Sequence, residues 1–162
     1  MKKNIRKIGM LVIIFSLMAC TKEVDILEPN LIGLYKYRAA SISVPVDLDN
    51  DGVGSGDLTL EKGKECIWDN TWQFQKEKVI LREGETFCGE TSQEADENGV
   101  IGSFDYIYDK DNHTIKITYE NGITEILKNV KLGYAPNYEQ TLSFELWNKD
   151  IQQVVTYYLE TE

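Results

Sequence analysis

The acidic segment 47–57 combines residue types and spacing that suit the binding of a cation. Carboxylates occur at alternate positions at Asp47, Asp49 and Asp51, and Gly52 follows the third of them. Alternate carboxylates converge on one ion when a glycine allows the chain to turn sharply around it. The pattern therefore matches the first half of a calcium-binding loop.

The second half of the segment departs from that loop. A calcium loop has a bidentate acid at its twelfth position, which is Leu58 in this chain, whereas Asp57 comes one residue early and Glu61 three residues late. We predict that calcium is a cofactor, bound by Asp47, Asp49, Asp51 and the Val53 carbonyl and completed by Asp57 or Glu61. The alternative is a solvated turn, rich in aspartate and glycine, that binds no metal.

The rest of the sequence contains no comparable constellation for catalysis. His113 lies in a polar segment between two strand-like runs, and no serine or cysteine nucleophile motif accompanies it. The 27 acidic residues make chance carboxylate pairs inevitable, so no pair stands out as an acid and its base. We therefore predict that the chain is not an enzyme and has no catalytic residues.

Residues 1–19 have the features of a signal peptide. Lys2, Lys3, Arg6 and Lys7 precede a short apolar run that ends in small residues. This run is far shorter than the roughly 20 residues that cross a bilayer as a helix. We therefore expect the segment to be cleaved and not to remain as a membrane span.

Cys20 directly follows the expected cleavage site. The preceding residues make the stretch Leu-Met-Ala-Cys at 17–20, which resembles the lipobox of bacterial lipoproteins. That resemblance implies acyl chains such as palmitate on Cys20, which anchor the protein stably on the outer membrane, facing the periplasm or the cell surface. Residues 20–30 then form a polar tether. The alternative is a plain signal peptide followed by an incidental cysteine.

The mature chain is strongly acidic. Cleavage after residue 19 takes away four of the 17 basic residues and none of the 27 acidic ones, which leaves a net charge of −14. Nucleic acids and anionic lipid headgroups both select clusters of lysine and arginine. The charge therefore argues against either as a partner, and the lipid anchor is expected to hold the protein at the membrane.

Cys66 and Cys88 are the cysteines that remain after lipidation of Cys20. They flank a predicted hairpin at 72–81, and a disulfide between them would tie its two ends together in an oxidising compartment. Closing a loop of this length restricts the unfolded chain by about 3 kcal/mol in the entropy model. Two buried free thiols are the alternative. Zinc is not favoured, because two cysteines and the distant His113 do not supply four ligands.

Residues 31–162 have the length of one domain and the pattern of short antiparallel strands. Asn121 and Gly122 separate two alternating runs and predict a hairpin with a type I′ turn, which needs positive φ at both positions. We expect about eight strands, drawn from the segments 32–38, 71–75, 78–82, 85–89, 101–108, 114–119, 123–130, 140–147 and 152–159. Such strands close into an antiparallel up-and-down barrel, with a two-sheet β-sandwich as the alternative.

Several short motifs resemble those of lipocalin-like lipoproteins of Gram-negative anaerobes. They are the lipobox, the Gly-Leu-Tyr sequence at 33–35 where lipocalins place Gly-x-Trp, the acidic insert 46–52, and the segment 66–74 with a later cysteine. The resemblance implies a lipocalin-like barrel in the cell envelope. Tyr35 departs from the pattern, because it replaces the tryptophan that plugs a typical lipocalin barrel, and no particular ligand is implied.

Aromatic residues of the predicted barrel indicate how it would function. They are Tyr35, Tyr37, Trp68, Trp72, Phe74, Tyr106 and Tyr108. We predict a lipid-anchored binding module for a small apolar ligand, whose identity and contact residues the sequence leaves open. Ordinary core packing would account for the same rings without any ligand. If the barrel is fully packed in this way, the alternative function is a calcium-stiffened structural module whose acidic loops contact another envelope protein or a glycan.

Overall fold

The computed structural model of the chain describes residues 30–61, 65–86 and 95–162. The predicted signal peptide at 1–19, the lipidation site Cys20 and the predicted disulfide partner Cys88 lie outside these residues. Among the residues that are described, no helix combines the length and the apolar character required to cross a membrane.

Nine strands run through the described residues, with little helix between them. Their bounds are β1 Gly33–Val46, β2 Ser55–Asp57, β3 Thr71–Phe74, β4 Lys78–Arg82, β5 Val100–Asp109, β6 Thr114–Thr118, β7 Thr124–Tyr134, β8 Gln140–Asn148 and β9 Gln153–Thr161. A 3₁₀ turn at Leu58–Leu60 and the short helix α1 at Glu65–Trp68 lie between β2 and β3.

The sheet closes on itself. Strands β1 and β3 to β9 pair in chain order, and β9 pairs back onto β1, where Ala40 lies opposite Tyr157. Strand β2 pairs with the C-terminal part of β1, between Ser41 and Val46, as a ninth strand. The predicted antiparallel up-and-down barrel is thus confirmed, and the β-sandwich alternative is wrong, because pairing of the first and last barrel strands leaves no open sheet edge there.

Alternation along the strands creates the core. In β6, Ile115 and Ile117 are buried whereas Lys116 is exposed, as expected for residues that point to opposite faces of a sheet. Strand β1 contains a bulge between Tyr37 and Ala39. A bulge inserts one extra residue and shifts the alternation, so that Ala40 is buried beyond it.

The two ends of the barrel differ. One end, which we call the closed end, carries the turns 75–77, 110–113 and 135–139 and is filled by buried Leu31 and Tyr35. The opposite end, which we call the mouth, carries 119–123, 149–152 and the described parts of the connections 47–70 and 83–99.

Two local predictions from the sequence fail where the structure describes them. The first is the start of the strand at 85–89. Of its described residues, Glu85 and Thr86 lie in a bend, because the Thr86 N–H donates to the Asp69 carboxylate at 2.7 Å and does not join a strand. Residues 87–89 lie outside the described residues.

The second concerns the turn at Asn121 and Gly122. The hairpin is present, but only Gly122 has a positive φ, at 77°. The Tyr119 N–H donates to the Ile123 carbonyl, which closes a three-residue loop with the glycine at its end. The Asn121 side chain accepts the N–H of Ile123, so this turn is not of type I′.

Candidate functional site

A continuous column of aromatic rings fills part of the barrel interior. We call it the aromatic column, and it consists of Tyr35, Phe74, Trp72, Phe144, Tyr37, Tyr157 and Trp68. Neighbouring rings have centroids 5.2 to 6.5 Å apart, mostly in edge-to-face or tilted arrangements. These are the geometries that ring quadrupoles favour. The column therefore packs the interior from the closed end towards the mouth.

Tyr35 lies at the base of the column. It is fully buried, its ring meets Phe74 edge-on at 5.9 Å, and its hydroxyl donates to the Asn30 carbonyl at 3.2 Å. Burial, with smaller contributions from Tyr106 and Tyr134, raises the pKa of Tyr35 to about 12. The phenol is therefore neutral at ordinary pH, and its polar atom is satisfied at the closed end.

The other two aromatic residues predicted for the interior also lie towards the closed end. The Tyr106 ring meets Phe74 edge-on at 5.3 Å, and its hydroxyl donates to the Gln75 carbonyl at 2.5 Å. Tyr108 packs against the core further along the same strand, opposite Ile115. Burial raises the pKa of both phenols. Both tyrosines are part of the packed base of the barrel.

The polar atoms of Tyr37 and Trp72 form a hydrogen bond with each other in the middle of the column. The Trp72 indole Nε1–H donates to the Tyr37 hydroxyl oxygen at 2.7 Å. Burial and the neighbouring Tyr157 raise the pKa of Tyr37, while the hydrogen bond from Trp72 acts in the opposite direction. A buried polar group that is paired costs little, so this pair stabilises the packed interior.

Trp68 covers the column at the mouth. Helix α1 carries it there, with its ring 5.6 Å from Tyr37 and 6.5 Å from Tyr157. Its indole Nε1 is buried and has no hydrogen-bond partner within the described part of the chain. A buried donor without a partner costs about 1–3 kcal/mol. This N–H is therefore the polar group of the column that still lacks a partner among the described residues.

A carboxylate also belongs to the mouth. The Tyr119 hydroxyl donates to Oε2 of Glu125 at 2.7 Å. Burial is the main cause that raises the pKa of Tyr119. The hydrogen bond to Glu125 and the charge of that carboxylate raise the pKa further. Sequence reasoning missed Glu125, although its place two residues before buried Leu127 on a strand indicates the inward face.

A cleft opens beside the Tyr119 member of this pair. Its volume is about 330 Å³, and its lining includes Gly102, Phe104 and Tyr119. The Phe104 and Tyr119 rings meet at 4.7 Å, and the Phe104 ring folds over Gly102 so closely that an added Cβ would lie within 2.2 Å of it. The glycine thus allows the aromatic ring to line the mouth.

The acidic segment brings three carboxylates together. One oxygen each from Asp47, Asp49 and Glu61 lies within 4.8 Å of the others. Calcium binds oxygens at about 2.3–2.6 Å, so ligands on one ion are at most about 5 Å apart, and this spacing fits the ion. Glu61 is only 4% exposed, and its Oε2 accepts the Leu48 N–H at 2.8 Å.

The remaining predicted ligands lie outside this group of three. Asp51 accepts the Val53 N–H at 2.8 Å. Asp57 accepts N–H groups of Ala40 at 3.1 Å and Thr59 at 3.0 Å, and thereby caps the 3₁₀ turn. Burial acts to raise the pKa of Asp57, but these hydrogen bonds lower it below its usual value. Asp57 therefore stabilises the 3₁₀ turn and does not join the group. Of the two acids predicted to complete the site, Glu61 is the one that joins it.

Cys66 lies on α1, two residues before Trp68, and it is disulfide-bonded. Its predicted partner Cys88 lies outside the described residues, so the pairing stays a prediction. Comparison of the chain with protein-family models, with curated proteins and with solved structures finds no match.

Proposed function

We propose that this protein is a lipid-anchored binding module of the bacterial cell envelope, whose barrel mouth binds a small, largely apolar molecule. The observation that carries this proposal is the buried indole N–H of Trp68, which has no partner among the described residues and lies beside the rings of Tyr37 and Tyr157. Ligand pockets typically combine aromatic surface with a few such polar groups.

The mouth is a better candidate than the closed end. The polar atoms of Tyr35 and of the Trp72–Tyr37 pair already have partners, and Leu31 and Tyr35 fill the base of the barrel. Near the mouth, the cleft of about 330 Å³ lies against Phe104 and Tyr119. A molecule entering there covers aromatic surface and does not have to displace the packed base.

Native mass spectrometry of the full chain, purified from the membranes of the cells that produce it, tests the proposal. We expect an organic adduct that is retained by the wild type and lost in Trp68→Ala. Trp147→Ala is the matched control, because Trp147 lies on the outer face and is 54% exposed. Bare wild-type protein, or an adduct that both variants keep, would contradict binding at the mouth.

Anchoring through Cys20 belongs to the same proposal and needs a separate test. We expect Cys20→Ala to move the chain from the outer-membrane fraction to the soluble fraction and to stop its labelling by an alkyne analogue of palmitate. Thr21→Ala is the neighbouring control and should keep both properties. Membrane retention of Cys20→Ala with unchanged labelling would contradict lipidation at this residue.

A second candidate function is that of a calcium-stiffened module that contacts an envelope protein or a glycan. The observation that favours it is the grouping of Asp47, Asp49 and Glu61 carboxylates, one of them buried. These residues would hold the ion, and bound calcium would supply a cross-link between the two ends of the acidic segment. In the same mass spectra we expect a calcium-sized adduct that EDTA removes, and its absence would contradict a tight site.

A further inference from the structure

Glu125 points into the barrel. It lies directly opposite Ile117 in the β6–β7 pair, and Ile117 is only 1% exposed. Residues directly opposite each other in an antiparallel pair project from the same face of the sheet. Its neighbour Ile126 is correspondingly exposed on the outer face. A carboxylate therefore faces the interior at the mouth.

No cation of the described chain neutralises this carboxylate. None of the ion pairs within the described residues includes Glu125. Its only hydrogen-bond partner there is the Tyr119 hydroxyl on Oε2, which leaves Oε1 open. A carboxylate in a partly enclosed site without a counter-charge is stabilised when a cation binds beside it.

Aromatic rings surround the same region. The Tyr119 hydroxyl donates to Glu125, and the Tyr119 ring meets that of Phe104 at 4.7 Å. Burial raises the pKa of Tyr37 and of Tyr157, and the charge of Glu125 adds to the rise in each. Trp68 packs on two of these rings. The negative faces of aromatic rings attract cations, most strongly where water is excluded.

We propose that the mouth binds a small organic cation, an amine or quaternary ammonium compound, whose charged group lies beside Glu125 and against the tyrosine rings. This inference rests on the proposed function and names the chemical class of its ligand. The apolar part of the molecule packs on the aromatic residues of the mouth, and an acceptor group on it pairs with the Trp68 indole N–H. The net charge of −14 on the mature chain raises the local concentration of cations.

Binding of three ring compounds of the same shape to the full chain tests this inference. The probes are 4-fluorobenzylamine, 4-fluorobenzyl alcohol and 4-fluorobenzoate, measured by fluorine NMR on protein held in lipid nanodiscs, with empty nanodiscs as the blank. We expect the amine to bind about tenfold or more tightly than the alcohol, as a charge-assisted hydrogen bond allows. The benzoate should bind most weakly.

Two variants test whether the preference for the amine over the alcohol depends on the Glu125 carboxylate. In Glu125→Gln the amide can still accept from Tyr119, and we expect the ratio of amine to alcohol affinity to fall close to one. Asp111→Asn, at an exposed turn of the closed end, removes the same charge and should keep the preference. Far-ultraviolet circular dichroism confirms folding. The ranking of the three probes by their affinity for the wild type tests the cationic ligand independently of any variant.

The outcomes separate the two proposals. Equal binding of amine and alcohol would overturn the cationic ligand and leave a binding module for neutral molecules standing. A preference that survives in Glu125→Gln, or that Asp111→Asn abolishes equally, would overturn the assignment to Glu125. Failure of all three probes to bind the wild type would count against the cationic ligand and against the binding function together.

Discussion

Replacing Tyr37 with phenylalanine removes the hydroxyl oxygen that accepts the Trp72 indole N–H at 2.7 Å. The ring itself stays, so its edge-to-face contacts with Trp68 and Trp72 are kept. The substitution therefore isolates one hydrogen bond in the middle of the aromatic column. It leaves the indole N–H of Trp72 without its partner in a site lined by rings.

The expected cost follows from that unpaired donor. A buried donor left without a partner costs about 1–3 kcal/mol, and the partial exposure of Trp72 favours the lower part of this range. We expect the free energy of unfolding to fall by about 1–2 kcal/mol. For a domain of this size, the melting temperature should then fall by roughly 4–8 °C.

Urea and thermal unfolding of the full chain, followed by circular dichroism, measure this change. Tyr138→Phe is the matched control, because Tyr138 is 87% exposed in a turn of the closed end, and its unfolding free energy should stay within about 0.5 kcal/mol of the wild type. A double-mutant cycle with Trp72→Phe should show a coupling of about 1 kcal/mol between Tyr37 and Trp72.

Two results would refute this reasoning. One is a Tyr37→Phe protein as stable as the wild type, since the indole N–H would then not depend on the hydroxyl. The other is a strictly additive cycle, which would mean that the two side chains stabilise the barrel independently and that the 2.7 Å contact contributes nothing.

Other substitutions and conditions test further parts of the structure. Gly84→Ala should lower the unfolding free energy by about 1–3 kcal/mol in urea titrations, because its Cβ would lie 2.5 Å from the Asp69 carbonyl oxygen. Gly56→Ala, with no atom nearer than 3.8 Å, should be nearly neutral, and equal effects would contradict the close packing. Calcium at about 10 mM should stabilise the chain by roughly 1.4–2.7 kcal/mol for a dissociation constant of about 0.1–1 mM, as seen in melting temperature, and Glu61→Gln should abolish the gain. Stabilisation that persists in that variant would rule out the grouped carboxylates. Because burial raises the pKa of Tyr35 in the folded state to about 12, its contribution to stability is complete below about pH 10 and is lost as pH rises towards 12. Phenolate absorbance should therefore appear together with loss of circular dichroism, and complete ionisation of a folded protein would contradict this.

Local patterns in the sequence were sufficient to predict most of the strands. The alternation over Thr114–Thr118 appears in the structure as buried Ile115 and Ile117, and the Asn121–Gly122 pair does connect two strands. These features depend on neighbours in the chain, which the sequence displays directly. The closing of the sheet is different, because the pairing of β1 with β9 joins residues more than a hundred positions apart.

The acidic segment was predictable in part for the same reason. The spacing of Asp47 and Asp49 is local, and the structure does group them. The choice between Asp57 and Glu61 as the completing ligand depended on contacts with residues distant in the chain. Asp57 is occupied by hydrogen bonds to Ala40 on β1 and to the 3₁₀ turn, which left Glu61 to complete the group.

Glu125 shows most clearly what only the tertiary structure decided. A charged residue on an amphipathic strand ordinarily indicates the solvent face, and the sequence determined only that Glu125 shares a face with Leu127. Pairing with Ile117 and closure of the barrel placed that face inside, next to Tyr119. The period of two along a strand specifies which side chains lie together, whereas the long-range pairing of strands specifies which side is enclosed.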